Sequence, residues 1–234
     1  MSPLAGPDRR VPFAFVDDVD EPVLSAPDRH HLERVRRLRA GDELSVGDGR
    51  GRYRRVAFGP TLTPLDEVVA VGAPARPVTV AFALTKGDRP ETVVQKLTEL
   101  GVDRIVPFVA QRTVVRWDES KAARNAERLR VVAREAAAQA HRPRLPVVLE
   151  VTTFAAVVTE PGLALAEPGG AAITAATTAV AIGPEGGWSP EELAAAEATV
   201  DLGPTVLRAE TAALAAGALL TALRDERVRD TEGG

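Results

Sequence analysis

Two hydrophobic rhythms alternate along most of this chain. From Pro77 onward, short unbroken apolar runs are followed by stretches with helical spacing. Val78–Leu84 has the length and branched content of a buried strand. Asp88 and Pro90 supply a cap and a first-turn proline for a helix running to Leu100, where Gly101 stops it. Arg104–Val109 reads as the next strand, and Asp118 to about Gln139 as a long helix with a basic exposed side. Gly162–Ala166 and Val180–Ile182 are short apolar strands, and Thr199–Leu202 and Thr205–Leu207 are short extended pieces. Ser189, Pro190 and Glu192 fit a helix start with a capping box. Thr211–Leu223 is an Ala/Leu helix. Strands alternating with helices on this scale predict a mostly parallel sheet with helices on both faces, an α/β fold.

The first 72 residues carry a different pattern. Asp28–Arg39 is read as a short helix with Leu32, Val35 and Leu38 on one face. Glu43–Val46 and Tyr53–Phe58 form strand candidates around a glycine-rich turn, and Val68–Val71 adds another. The Gly72–Pro77 stretch, with two prolines and a glycine in six residues, reads as a linker. The expected organisation is a small β-rich module over 1–72 and an α/β domain over 73–234.

Composition narrows the chemistry. The 234 residues are 45% hydrophobic and 26% charged, as in globular proteins, with no apolar run of membrane-spanning length and no apolar segment behind the N-terminal arginines. A cytoplasmic location is expected. The absence of cysteine excludes disulfides and thiolate chemistry, and the three histidines lack zinc-helix spacing, so no protein-bound metal is expected. The net charge of −4 conceals two basic regions. Arg29–Arg55 holds nine arginines against four acids, and Arg104–Arg144 holds ten Lys plus Arg against four acids. Such clustering fits a phosphate backbone as partner, although each cluster also fits a solvated face.

Four segments carry candidate chemistry. Ile182-Gly183-Pro184-Glu185-Gly186-Gly187-Trp188 joins a strand to the Ser189 cap, at the sheet end where ligands of open α/β folds bind. It lacks the Lys and Ser/Thr of a phosphate loop, and Glu185 suits a neutral or cationic ligand better. Leu202–Ala212 turns at Gly203-Pro204 and delivers Arg208 and Glu210 to a helix start; the plainer reading has these two capping the helix and pairing with each other. Lys86 and Arg89 follow the first strand of the α/β region, where substrate contacts are expected. Arg112, Arg116 and Trp117 combine cations with an indole, a set that grips phosphates and stacks on a base.

TKGDRPE, QKLTELGV, QRTVVRW, AREAAAQAHRPRLP, AIGPEGGW and LGPTVLRAETAA occur in that order, behind HLERVRRLRAGDELSVGDGRGRY. Over residues 10–225 this series resembles the RsmE family of small-subunit ribosomal RNA uridine-N3 methyltransferases, within the SPOUT superfamily. Trp188 stands where phenylalanine is commoner, and Ala138-Gln139-Ala140 where the family usually reads EQS. The resemblance implies a deep trefoil knot, a small N-terminal PUA-like β-barrel, a homodimer, and 16S ribosomal RNA as partner, within the small ribosomal subunit. It implies S-adenosylmethionine as cofactor, held by Leu165, Ala166, Glu167, Ile182, Gly183, Pro184, Glu185, Gly186, Gly187, Leu202, Gly203, Leu207, Arg208, Thr211 and Ala212. Arg208 and Glu210 are the catalytic candidates. His31, Arg34, Arg37, Arg52, Arg54, Arg55, Lys86, Arg89, Arg112 and Arg116 are the candidate RNA contacts. A ribose or guanine methyltransferase of the same superfamily, or a non-catalytic RNA-binding assembly factor, remains as an alternative.

Overall fold

The computed structural model describes residues 6–85, 89–115 and 117–228. Their contacts divide the chain into two compact units. One runs to Pro74 and also takes in Arg134–Leu145, while the other comprises Ala75–Ala133 and the chain from Pro146 onward.

The first unit contains β1 (Phe13–Phe15), α1 (Ala26–Arg34), β2 (Glu43–Gly47), β3 (Arg52–Ala57), β4 (Thr63–Pro64) and β5 (Val69–Ala70). β1 lies parallel to β2, and β2 pairs antiparallel with β3 in the register Ser45↔Arg55. Asp48 sets the intervening turn, its Oδ1 accepting from the N–H groups of Arg50 and Arg52 at 2.7 and 3.1 Å. Leu44, Val46 and Val56 are sealed from solvent and pack with Val19, Leu32 and Phe58. The returning segment joins this unit through Arg134, whose guanidinium lies over the Phe15 ring and donates to the Phe15 carbonyl.

α1 is shorter than the expected Asp28–Arg39 helix. Val35 forms the C-cap and is 64% exposed, and Arg37 turns left-handed at φ 59°. The Leu38 N–H then bonds to the Leu32 carbonyl, outside the helical ladder. Of the three residues expected on one face, Leu32 is buried and Val35 is not. Apolar spacing alone did not carry the helix past the arginine run.

The second unit contains β6 (Thr79–Ala83), α2 (Arg89–Leu100), β7 (Arg104–Val109), α3 (Glu119–Gln139, shared at its end with the first unit), β8 (Val147–Val148), β9 (Thr152–Thr153), α4 (Phe154–Val157), β10 (Leu163–Ala171), β11 (Ala179–Ile182), α5 (Pro190–Ala195), β12 (Thr199–Val200) and α6 (Ala209–Arg224). The sheet order is β12-β10-β11-β6-β7-β8, with β9 also on β7, and all these pairs are parallel. Alternate side chains leave the sheet in opposite directions. Val80, Phe82, Ala164, Val180 and Ile182 therefore enter a core with Val93, Val94 and Leu97 of α2 and Ala213, Ala216 and Leu220 of α6. Ala81, Ala83, Val106, Phe108, Leu165 and Ala181 face the other way, onto Val157 and Trp188. A parallel sheet covered on both sides explains why these strands read as unbroken apolar runs. α6 approaches α2 so closely that a Cβ at Gly217 would meet Leu97 Cδ2 at 2.7 Å.

Thr205–Leu207 does not form the expected extended piece. The chain bends at Pro204 and Thr205, and Val206 stands 91% exposed with no strand beside it. In contrast, β10 continues five residues beyond Ala166, through Pro168 and two glycines, by a register shift against β12. Among the described residues, no helix is long and apolar enough to cross a membrane.

Candidate active site

The carboxyl ends of β10, β11 and β12 bring three chain segments together in the second unit. β11 ends at Ile182, and the loop that follows closes a turn with the Gly187 N–H on the Pro184 carbonyl at 2.8 Å. Trp188 then folds inward, 5% exposed, stacked on Phe108 at 6.1 Å and tilted against Phe154 at 5.6 Å. Its Nε1 donates to the Ala166 carbonyl at 2.9 Å, pinning the loop to the end of β10. Gly183 lies under this ring, where a Cβ would stand 3.0 Å from Trp188 Cε2.

Ser189 and Glu192 form the expected capping box. Glu192 does more than cap. Its Oε2 accepts from the Ser189 N–H at 2.9 Å, and its Oε1 accepts from the Gln111 N–H at 2.8 Å. Arg112 adds a bond from Nη1 to the Gly186 carbonyl at 3.0 Å. The segment after β7 is thus tied both to Gly186 within the glycine loop and to the first turn of the helix that follows it. Glutamine at position 192 keeps one carbonyl oxygen and places an NH2 group where the second acceptor stood. Glu192→Gln is expected to cost ~1–3 kcal/mol, the penalty for an unmade bond at a buried donor. Thermal unfolding should shift down by roughly 2–4 °C for each kcal/mol in a chain of this size. An unchanged melting temperature would show that the tether carries no stability.

The third segment leaves β12 through Asp201. Its Oδ2 accepts from the Gly169 N–H and its Oδ1 from the Gly203 N–H, both at 2.9 Å, while its own N–H bonds to the Ala171 carbonyl. These donors, Gly169 first, hold the carboxyl below its ordinary range. Asp201 is absent from the candidates drawn from sequence, yet an Asp two residues ahead of glycine is an Asx-turn signal. Leu202 and Leu207 turn inward against the sheet core, whereas Val206 and Arg208 face solvent.

Arg208 occupies the N-cap of α6 without a capping bond from its side chain. Among the described residues it forms no ion pair, so the plain pairing with Glu210 is not what holds it. Glu210 faces Arg89 instead: Nη1 of Arg89 lies 3.0 Å from Glu185 Oε1 and 4.0 Å from Glu210 Oε2. Oε2 of Glu210 is buried and, among the described residues, has no hydrogen-bond partner. Candidates assigned separately to RNA (Arg89), cofactor (Glu185) and catalysis (Glu210) therefore meet in one charged cluster. Leu165 is fully buried, Ala166 and Glu167 are half-buried, Thr211 is exposed and Ala212 is buried.

The remaining RNA candidates are dispersed. Lys86 and Arg116 lie outside the described residues. Arg52 pairs with Asp20, Arg54 donates to the Asp66 carbonyl, and Arg55 is held by Asp66 and Glu43. His31, Arg34 and Arg37 are exposed, and among the described residues no ion pair holds them. Much of the second basic region is likewise internally paired: Arg104 grips Glu160, Arg128 pairs with Glu91, and Arg130 pairs with Glu127 and Glu150. Among the described residues, no group of three or more acidic, His or Cys side chains is placed to hold a metal.

Comparison with known proteins matches this architecture. Residues 73–221 match the model of an RNA methyltransferase domain, and residues 24–55 that of an RNA methyltransferase PUA domain. The ribosomal RNA small subunit methyltransferase E of Mycobacterium bovis is 35% identical over 90% of each chain. The protein of that name from Synechocystis is 32% identical over 86% of this chain and 73% of its own. A Legionella pneumophila methyltransferase solved with SAM bound superposes with a TM-score of 0.78 at 26% identity, over 91% of this chain and 98% of that one. The corresponding Neisseria gonorrhoeae enzyme, bound to S-adenosylmethionine, shares the fold at a TM-score of 0.77 and 23% identity, over 91% and 98%. With a family model covering most of the chain and a relative this similar along nine-tenths of its length, the chain belongs to the ribosomal RNA small subunit methyltransferase E family, an α/β methyltransferase fold behind a PUA-like N-terminal unit.

Proposed function

We propose that this protein methylates N3 of a uridine in the decoding region of 16S ribosomal RNA, using S-adenosylmethionine, and that it acts as a homodimer on the small ribosomal subunit. The knotted threading of the last third of the chain belongs to the same reading, as does a cytoplasmic location. The observation that carries it is the cleft at the ends of β10, β11 and β12, together with the acids beside it.

The groups present fit the cofactor. Among the described residues, the backbone N–H groups of Glu185, Gly186, Val206 and Leu207 have no partner. Such groups suit the polar edges of an adenosine. Glu167, Glu185 and Glu210 supply negative charge to a ligand bearing an ammonium and a sulfonium, and the buried Oε2 of Glu210 lacks a donor among the described residues. Leu165, Ala166, Ile182–Gly187, Leu202, Gly203, Leu207, Thr211 and Ala212 would hold it. When bound, S-adenosylmethionine supplies an electrophilic methyl group on a positively charged sulfur.

The chain's own residues would prepare the nucleophile. Uracil N3 is a weak acid between two carbonyls, and it is nucleophilic once deprotonated, with charge spread onto O2 and O4. Arg208, exposed at the helix start and without an ion pair among the described residues, would donate to one of those oxygens as the charge forms. Glu210 Oε2 would take the N3 proton or orient the cations around it, with Arg89 holding Glu185 alongside. The exposed arginines Arg34 and Arg37 of the PUA-like unit, and Arg112 beside Gly186, would take RNA phosphates. Arg52, Arg54 and Arg55 would first have to leave their acidic or carbonyl partners.

The test is nucleoside mass spectrometry of small ribosomal subunits from a strain lacking this activity, after incubation with the purified protein and S-adenosylmethionine. N3-methyluridine in the 16S RNA is the expected product. A ribose- or guanine-methylated product, or no product alongside intact RNA binding, would replace the proposal.

A further inference from the structure

A second recess lies beside the cluster of Arg89, Glu185 and Glu210. Its volume is about 420 Å³, within the range of small-ligand sites. The end of β6, the first turn of α2, the segment after β7 and the first half of α3 enclose it. Its chemistry comes from Thr85, Glu91, Trp117, Lys121, Asn125 and Arg128. None of these belongs to the three segments that form the cofactor cleft.

The lining carries the signature of a nucleotide. Trp117 is half-buried, and unlike Trp188 it has no ring packed against it among the described residues. An indole face open in this way suits stacking, which tolerates any base. Among the described residues, the Asn125 amide and the Lys121 ammonium have no hydrogen-bond partner. The amide offers a donor and an acceptor to a base edge, and the ammonium offers charge to a phosphate. Arg128 keeps a 3.0 Å pair from Nε to Glu91, which leaves its two terminal nitrogens for an anion. Thr85 is the most telling residue. It is 5% exposed, and its Oγ1 is buried and has no hydrogen-bond partner among the described residues. A buried hydroxyl left unpaired destabilises the free protein, so its retention in the wall of a recess points to a partner that arrives with a ligand.

We infer that this recess binds one nucleotide of the RNA substrate, adjacent to the residue being methylated, with the base on Trp117 and the phosphate near Lys121 and Arg128. The inference rests on the RNA-methyltransferase reading. Pro90 and Glu91 follow Arg89 directly in α2, so the recess and the charged cluster share the first turn of one helix. An RNA strand crossing the carboxyl edge of the sheet from β7 toward β10 would place neighbouring nucleotides in the two clefts.

Anisotropy of a labelled heptauridylate measures occupancy without any methylation. Trp117→Leu is expected to weaken its binding by roughly 5- to 150-fold, the span of aromatic stacking on a base. Trp117→Phe should recover most of that loss. Thr85→Val should raise the melting temperature, because it removes an unsatisfied group, and still weaken heptauridylate binding. A merely structural Thr85 would not produce that opposition. Calorimetry with S-adenosylmethionine should give the same affinity for all three variants. Heptauridylate affinity unchanged in both Trp117→Leu and Thr85→Val overturns the inference. Competition between S-adenosylmethionine and uridine 5′-monophosphate for quenching of the wild-type tryptophan fluorescence would also overturn it, by assigning the recess to the cofactor. A protein that binds heptauridylate in this way but yields no N3-methyluridine would refute the proposed reaction and leave the recess standing.

Discussion

Arg208→Ala is expected to lower kcat by roughly 10²–10³-fold, the usual cost of deleting one donor aimed at developing negative charge. The dissociation constant for S-adenosylmethionine should stay close to that of the wild type. The separation follows from where Arg208 stands. It is exposed at the N-cap of α6, contributes no capping bond, and forms no ion pair among the described residues. Its removal therefore leaves the cleft's internal bonds intact: Trp188 to Ala166, Asp201 to Gly169 and Gly203, and Glu192 to Gln111. What disappears is a cation available to the uracil oxygens as N3 loses its proton. An interaction stronger in the transition state than in the ground state is read in kcat, whereas uniform binding is read in KM. Single-turnover methylation of small subunits, paired with cofactor calorimetry, separates the two. A higher KM for the cofactor with an unchanged kcat would make Arg208 a binding residue.

The parts of this protein legible in its sequence are those fixed by local physics. Val78–Leu84 and Arg104–Val109 announce β6 and β7 because a strand buried on both faces has to be apolar throughout. Ser189-Pro190-Glu191-Glu192 announces the start of α5 because capping is a four-residue event. What escaped notice depends on partners far along the chain. The two-residue strands β8 and β9 exist only through their pairing with β7. The expected strand Gly162–Ala166 stops short of residues 167–171, yet they extend β10, where Asp201, about thirty residues later, receives the Gly169 N–H. Thr205–Leu207 has the composition of a strand but finds no neighbour. The basic regions suggested an open cationic surface, and distant acids such as Glu160 and Asp66 neutralise much of it. The site followed the same rule. The GPEGGW loop and the Arg208–Glu210 segment were visible as motifs, but the meeting of Arg89 with Glu185, 96 residues away, was not.

Gly183 illustrates how the structure changes the reason for a residue. Glycines in a loop at a strand end ordinarily let a ligand approach the backbone closely. At Gly183 the intruder is the protein's own Trp188, whose ring atoms lie 3.0–3.3 Å from where a Cβ would sit. That ring has little room to yield. Phe108 stacks on it, Phe154 leans against it, and its Nε1 is bonded to the Ala166 carbonyl. Gly183→Ala must therefore push the indole away from β10, strain the loop, or both, at the ~1–3 kcal/mol typical of overpacking. Because the indole joins two of the three cleft segments, the affinity for S-adenosylmethionine should fall together with the melting temperature. Gly186 offers the contrast. A Cβ there would meet one atom closely, Arg112 Cβ at 3.3 Å, where a Cβ at Gly183 meets three atoms of a wedged ring at 3.0–3.3 Å, so Gly186→Ala should be milder on both measures. The mechanism predicts a specific rescue. Trp188→Phe trims the atoms that collide, at the cost of the bond to Ala166, so Gly183→Ala with Trp188→Phe should lose less than the sum of the two single changes. Such coupling between neighbours runs to ~0.5–3 kcal/mol in double-mutant cycles. Strict additivity in the melting temperatures, or wild-type cofactor affinity in Gly183→Ala, would mean that the ring does not set the position of the loop.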